Sequence, residues 1–179
     1  MPRVRAAFLS VLVVALWVGP ARPAMTDKDK AELATAVSGA KVTLEQGLMA
    51  SKKNGKPVSA KFEIDNGKPQ LSVYTIRDGS KYFEVIVDHT SGEVAKAEAI
   101  TGGEDLTAAQ KQNDGMFRAT REIREAVKEA KQDNPGYLAV SVWPEMKDNH
   151  SMANVLLVKD NDWKTVVVDL TVYRKLIKD

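Results

Sequence analysis

The sequence predicts an α+β fold made of two copies of one unit, each a helix packed on a three-stranded antiparallel meander. Three observations carry this. In Lys81–Val94, KYFEVIVDHTSGEV, the side chains Phe83, Val85 and Val87 alternate with others, and period two places them on one face of a strand. Asp88 then begins a turn that Gly92 can close. Residues 162–175, DWKTVVVDLTVYRK, repeat the skeleton, with Lys164, Val166, Val168 and Asp169 falling where Phe83, Val85, Val87 and Asp88 fall. Finally, a capped helical stretch precedes each set of strands.

The elements follow in order. Thr26 can cap a helix whose first turn holds Asp27 and Asp29, both suited to the positive end of the helix dipole, with Leu33 and Val37 as its apolar edge and Ser38–Gly39 as its stop. Thr43 with Gln46 three positions on is a capping-box spacing, and Leu44, Leu48 and Ser51 form one stripe before Asn54 and Gly55. Gly47 inside this helix marks either a weak point or a close approach by a strand.

Three alternating runs come next: Val58, Ala60, Phe62, Ile64; then Leu71, Val73, Thr75; then Phe83, Val85, Val87. They are joined at Asp65–Asn66–Gly67 and Asp78–Gly79, residues that accept the positive φ of short hairpins. Glu93–Ile100 reads as a mixed segment, and 101–103 as a joint between a unit at 25–100 and one at 104–179. In the second unit Thr107 and Gln110 repeat the capping spacing, and Met116, Ile123, Val127 and Ala130 give the helix its apolar face. Arg121, Glu122, Arg124, Glu125, Lys128 and Glu129 solvate the rest of it. Asp133–Gly136 stop this helix, Leu138, Val140 and Val142 form a strand that Pro144 ends, and strands at 152–158 and 163–169 flank a turn at 159–162.

The first 24 residues read as a secretory signal peptide: Arg3 and Arg5, then an apolar run from Ala6 to Val18 too short for a comfortable span, then small residues with Ala21 or Ala24 before the cut. The expected address is periplasmic or secreted, with no membrane span after cleavage. Its removal takes three arginines and no acid, leaving 23 basic against 24 acidic residues. A chain so nearly neutral lacks the charge by which a nucleic-acid binder neutralises phosphates. With no cysteine, neither disulfides nor thiol chemistry is available.

Thr43–Val94, with its helix start TLEQGL, strand GKPVSAKFEI and close FEVIVDHTSGEV, resembles a PepSY domain, and the second half resembles one more faintly. Asp88 and Gly92 meet the family pattern; Asp169 meets it too, but Tyr173 stands where the glycine would be. The resemblance implies a non-catalytic extracytoplasmic module of the kind found in propeptides of thermolysin-like proteases and as free-standing secreted proteins, with peptidase inhibition the usual suggestion. Some small secreted members are thought to bind metals.

No catalytic constellation emerges from the residues. His89 and His150 are the sole histidines, no serine lies in a nucleophile-elbow pattern, and GKP at Gly55 and Gly67 precedes strands, so it is no phosphate loop. The chain is therefore read as a non-enzyme without an organic cofactor. The acidic turns offer more, because calcium and lanthanide ions take several oxygen ligands that Asp-, Asn- and Gly-rich turns can supply. The chosen ligands are Asp88, Glu93, Asp160, Asp162 and Asp169, with Asp65 and Asn66, Glu145 and Asp148, and Asp27, Asp29 and Glu32 as further acidic groups. The alternative is a peptidase inhibitor or peptide-binding module that meets a periplasmic protease or peptide, with Trp143 and Trp163 able to line a groove.

Overall fold

Thr26 caps the first helix in both senses of a capping box: its hydroxyl accepts the Asp29 amide, and the Asp29 carboxylate accepts the Thr26 amide. The computed structural model describes residues 25–171; the predicted signal peptide and Tyr173 lie outside them. Helix α1 runs over Asp27–Gly39 and α2 over Leu44–Ala50, where Thr43 and Gln46 form the second capping box. A 3₁₀ turn at Ser51–Asn54 leads into strands β1 (Lys56–Asp65), β2 (Lys68–Arg77), β3 (Lys81–Val87) and β4 (Val94–Ile100). Helices α3 (Gly103–Gly115) and α4 (Ile123–Gln132) follow, then β5 (Leu138–Lys147), β6 (His150–Lys159) and β7 (Asp162–Asp169).

The α+β class holds, and the simple unit is corrected. The segment Val94–Ile100 is a fourth strand, paired with β3 from Tyr82↔Ile100 to Val87↔Val94. Its run of alanines has poor strand propensity, and pairing with β3 overrides that preference. Each half carries two helices. Thr107 lies inside α3, its hydroxyl turned back on the Gly103 carbonyl at 3.3 Å, and Gly102 takes the cap position. The chain leaves the helix between Gly115 and Ile123 because the amides of Thr120 and Arg121 both donate to the carbonyl of Leu170, a pairing no continuous helix could make. Pro144 does not end its strand: β5 pairs β1 only at Val142 and Ser141, so past that point the missing amide deletes no bond to β1, and Pro144 pairs Ala153 of β6.

All seven strands form one antiparallel sheet in the order β4-β3-β2-β1-β5-β6-β7. The two meanders meet at Ala60↔Val142 and Lys61↔Ser141. Their registers match. Val73 pairs Ala60 and Val85 in the first half, and Val155 pairs Val142 and Val166 in the second. Both first strands shift register at one residue, between Pro57 and Ser59 and between Ala139 and Ser141. Equivalent residues Ala60 and Val142 thus face each other, so an approximate twofold passes through that pair.

One face of the sheet carries Ala60, Leu71, Val73, Val85 and Val87, continued by Val142, Ala153, Val155 and Val168, all buried. Helices α2 and α4 lie side by side over it. Leu44 and Leu48 of α2 and Ile123 and Val127 of α4 are at most 1% exposed, and each such side chain contributes about 1.5–3 kcal/mol of burial. Gly47 of α2 sits on Leu71, where a Cβ would lie 2.5 Å from Cδ2: the close approach its position in the sequence hinted at. Val85 is fully buried and Val166 half-buried against the core.

The opposite face is polar yet closed. Ser59, Lys61, Ser72, Tyr74 and Glu84 are all buried there. Helix α3 supplies Gln112, which accepts the Ser59 hydroxyl. Glu63 accepts Ser72 at 2.7 Å and pairs with Lys61 at 2.6 Å, while Glu84 accepts the Tyr74 hydroxyl at 2.9 Å. Burial pushes the Glu84 carboxyl above its usual range, against the opposing pull of the Tyr74 bond and the Lys61 charge.

Candidate functional site

Asp88 closes β3, and its Oδ1 accepts the amides of Ser91 at 2.7 Å and Thr90 at 2.8 Å, which hold the carboxyl below the ordinary range. Asp169 closes β7 in the same way. Its Oδ1 accepts the Thr171 amide at 2.7 Å and its Oδ2 meets His150 Nδ1 at 2.9 Å. Partial burial works to raise this carboxyl, and the bonds to Thr171 and His150 outweigh it. Just beyond each aspartate a carbonyl collects two amides from the loop before a helix, Lys41 and Val42 on His89, and Thr120 and Arg121 on Leu170. The repeat of Asp88 and Asp169 therefore has a structural cause: each turns the chain so that the next carbonyl anchors the start of α2 or α4.

The five chosen carboxylates occupy three separate places. Asp88 and Glu93 share one turn, in which the Glu93 carbonyl accepts the Asp88 amide at 2.9 Å. Asp160 and Asp162 sit at the β6–β7 hairpin, Asp160 with φ 54°, and Asp162 accepts the Tyr137 hydroxyl. Asp169 is at the far end of β7, roughly 23 Å along the strand from Asp162 at ~3.3 Å per residue. Five strand spacings separate β3 from β7, roughly 24 Å at ~4.8 Å each. Among the described residues no three His, Asp or Glu side chains converge where they could hold one ion. Asn66 and Asp148 have positive φ of 48° in hairpin turns, and Asp29 is spent in the α1 cap. Trp143 of β5 pairs Asn154 of β6, and Trp163 packs half-buried against the core.

A different site forms between the halves. Helices α2 and α4 run antiparallel, tied at one end by Lys131 with Glu45 at 2.8 Å and at the other by Lys52 with both oxygens of Glu122, at 2.7 and 2.8 Å. Beside the second pair opens a cleft of about 220 Å³ lined by Leu48, Lys52, Gly55, Lys56, Pro57, Glu122, Ile123 and Arg124. Its floor is apolar, from Leu48, Pro57 and Ile123, all buried. Its rim carries three cations against one acid. Arg124 Nε is buried without a hydrogen-bond acceptor, its closest acid being Glu122 at 3.9 Å. Glu122 stands at the cap position of α4 but makes no capping bond, which leaves that helix's first amides and positive dipole end beside the rim.

From the sequence Glu122 and Arg124 read as a solvated helix face and Leu48 and Ile123 as apolar helix stripes, while Lys52 and Lys56 carried no signal. Lys52 and Glu122 are seventy positions apart, and only the antiparallel docking of α2 on α4 brings them together.

No family model matches this chain, and no curated protein does. Among solved structures, a candidate lipoprotein from Clostridium difficile 630 is similar at 15% identity over 66% of this chain and 77% of that one, with a TM-score of 0.39. Among the described residues no helix is long and apolar enough to cross a membrane.

Proposed function

We propose that the protein is a non-catalytic, extracytoplasmic binding module whose ligand is a carboxylate with a short apolar body, such as the last residue of a peptide, held in the cleft between α2 and α4. The observation that carries this is an apolar floor beneath a rim on which Lys52, Lys56 and Arg124 outnumber Glu122. A carboxylate pairs with these cations, and its short apolar body fills the cleft above Leu48, Pro57 and Ile123. The resemblance to PepSY domains supports a peptide-handling module; so do the two halves meeting along this seam.

Titration of short peptides ending in leucine or valine, followed by calorimetry or amide shifts, tests it. A free C-terminus should bind and its amidated counterpart should bind at least tenfold more weakly, with Arg124→Ala and Lys56→Ala each weakening the free form. Equal binding of both peptides would defeat the proposal. Peptidase inhibition is its physiological extension, read as a fall in periplasmic peptidase rates on adding the protein.

Capture of calcium or a lanthanide is a second reading, favoured by the β6–β7 hairpin, where Asp160 and Asp162 flank Asn161 beside Trp163. Tryptophan-sensitised terbium emission should then saturate, disappear in the double variant Asp160→Asn, Asp162→Asn, and survive Asp88→Asn, whose carboxylate serves its own turn. Emission that never saturates removes this reading.

A further inference from the structure

Strand β4 is an edge of the sheet, and its burial is that of a strand awaiting a neighbour: Val94 and Ile100 are half-buried and the five residues between them exposed. Its sequence, VAKAEAI, puts Lys96 and Glu98 on one face and Ala95, Ala97 and Ala99 on the other. An antiparallel edge offers the amide and carbonyl of every second residue, so a second copy of the same strand can add only in registers centred on a residue. Centring on Lys96 sets lysine against lysine, and centring on Glu98 sets glutamate against glutamate. Centring on Ala97 places Lys96 opposite Glu98 of the second copy, Glu98 opposite its Lys96 and alanines opposite alanines, while the register shift at Ala95 keeps Val94 off this ladder. Within one chain Lys96 Nζ already meets Glu98 Oε1 at 2.7 Å, both side chains more than half exposed. On the β3 side Glu98 stands opposite Glu84, so a second lysine would reach a position that now holds two acids.

We infer that β4 is a self-complementary dimerisation edge, pairing about Ala97 with β4 of a second copy to make one continuous antiparallel sheet. A lysine on an edge strand ordinarily discourages foreign strands. Here the glutamate two residues on makes the same chain the exception, and the closed twofold uses up the β4 edge of each copy, so assembly through this contact stops at two. The contact is a short ladder about Ala97 with small side chains, and the dimer dissociates on dilution.

Sedimentation velocity across a wide concentration range should show a reversible monomer–dimer equilibrium. Lys96→Glu and Glu98→Lys should each be monomeric, with unchanged circular dichroism because both side chains are exposed. Mixing the two variants should restore a dimer, and the double swap in one chain should restore it too. The chain has no cysteine, which gives a register test: an Ala97→Cys chain should oxidise readily to a disulfide-linked dimer, since facing Cα atoms of an antiparallel pair are ~4.5–5.5 Å apart. The Ala99→Cys chain should not, its counterpart lying two positions beyond the centre on each side. A folded protein that stays monomeric at the highest concentration overturns the inference. So does a dimer that ignores both charge reversals, or one that cross-links as well through Ala99→Cys as through Ala97→Cys.

Discussion

Gly47 shows how one side chain sets the distance between a helix and the sheet. Its missing Cβ is the space that Leu71 fills, and in the second half the equivalent positions are Ala126 and Ala153, both fully buried. The halves solve one packing problem by opposite divisions of volume, glycine over leucine and alanine over alanine. Gly47→Ala should gain ~1 kcal/mol of helix propensity and lose more to overpacking, ~1–3 kcal/mol. Leu71→Ala should cost ~2–5 kcal/mol by the cavity it leaves. The double variant should be less destabilised than the two single costs combined, because the added methyl enters the vacated space. Urea denaturation of the four proteins measures this coupling, and strict additivity would refute the account of Gly47. The sequence disclosed both alternatives for this glycine, weak point or close approach, and the register of β2 decides for the second. Asp88 and Asp169 were legible as a repeated pair, but a sequence cannot show that their oxygens accept backbone amides. In both, the folded carboxyl sits below the ordinary aspartate range. That sign means stability present above the unfolded value and lost as pH falls through the folded one.

At the scale of elements, the polar face of β1–β3 runs the other way. Glu84 is raised above the ordinary glutamate range, chiefly by burial. A raised carboxyl contributes stability below the unfolded value, and loses it as pH rises through the folded one, because the buried charge is then uncompensated. Lys61, Glu63 and Tyr74 face it from β1 and β2, Glu98 from β4, and Asp105 of α3 lies near enough to act on Tyr74. Glu84→Gln keeps an acceptor for the Tyr74 hydroxyl and removes the titration. The variant should melt above the parent at pH 7, and the gap should close as pH approaches 4. A gap that is constant with pH, measured by thermal denaturation, would mean that Glu84 is not the titrating group. This face also marks the limit of pattern reading. Alternation separates Ser59, Lys61 and Glu63 from Ala60 and Phe62, but it does not show that α3 crosses their side and that Ser59 and Lys61 are buried there. The hairpins were readable because Asn66, Gly67 and Gly79 carry the positive φ their turns need. The fourth strand was not, since alanines alternating with Lys96 and Glu98 resemble helix or loop until β3 offers its edge.

Over the whole molecule, the duplication was visible in the aspartates and valines of the two third strands, but its consequence was not. The halves share one sheet through Ala60 and Val142, and α2 grips α4 across the seam by Lys52–Glu122 and Lys131–Glu45. The first of these pairs is half exposed and contributes little by itself. Leu48 and Ile123 beneath it are sealed, so the seam is held mainly by apolar contact. Folding of either half then depends on the other, because each would expose its side of this seam if the partner half opened. Ile123→Ala tests that dependence, with an expected cost of ~2–5 kcal/mol for the cavity. In hydrogen exchange the loss should register equally at Leu71–Val73 of β2 in the first half and Ala153–Val155 of β6 in the second, both at the buried centre of their meanders. Faster exchange confined to β6 would mean two independently opening halves, and the cleft between them would then be a hinge instead of a fixed seat for a ligand.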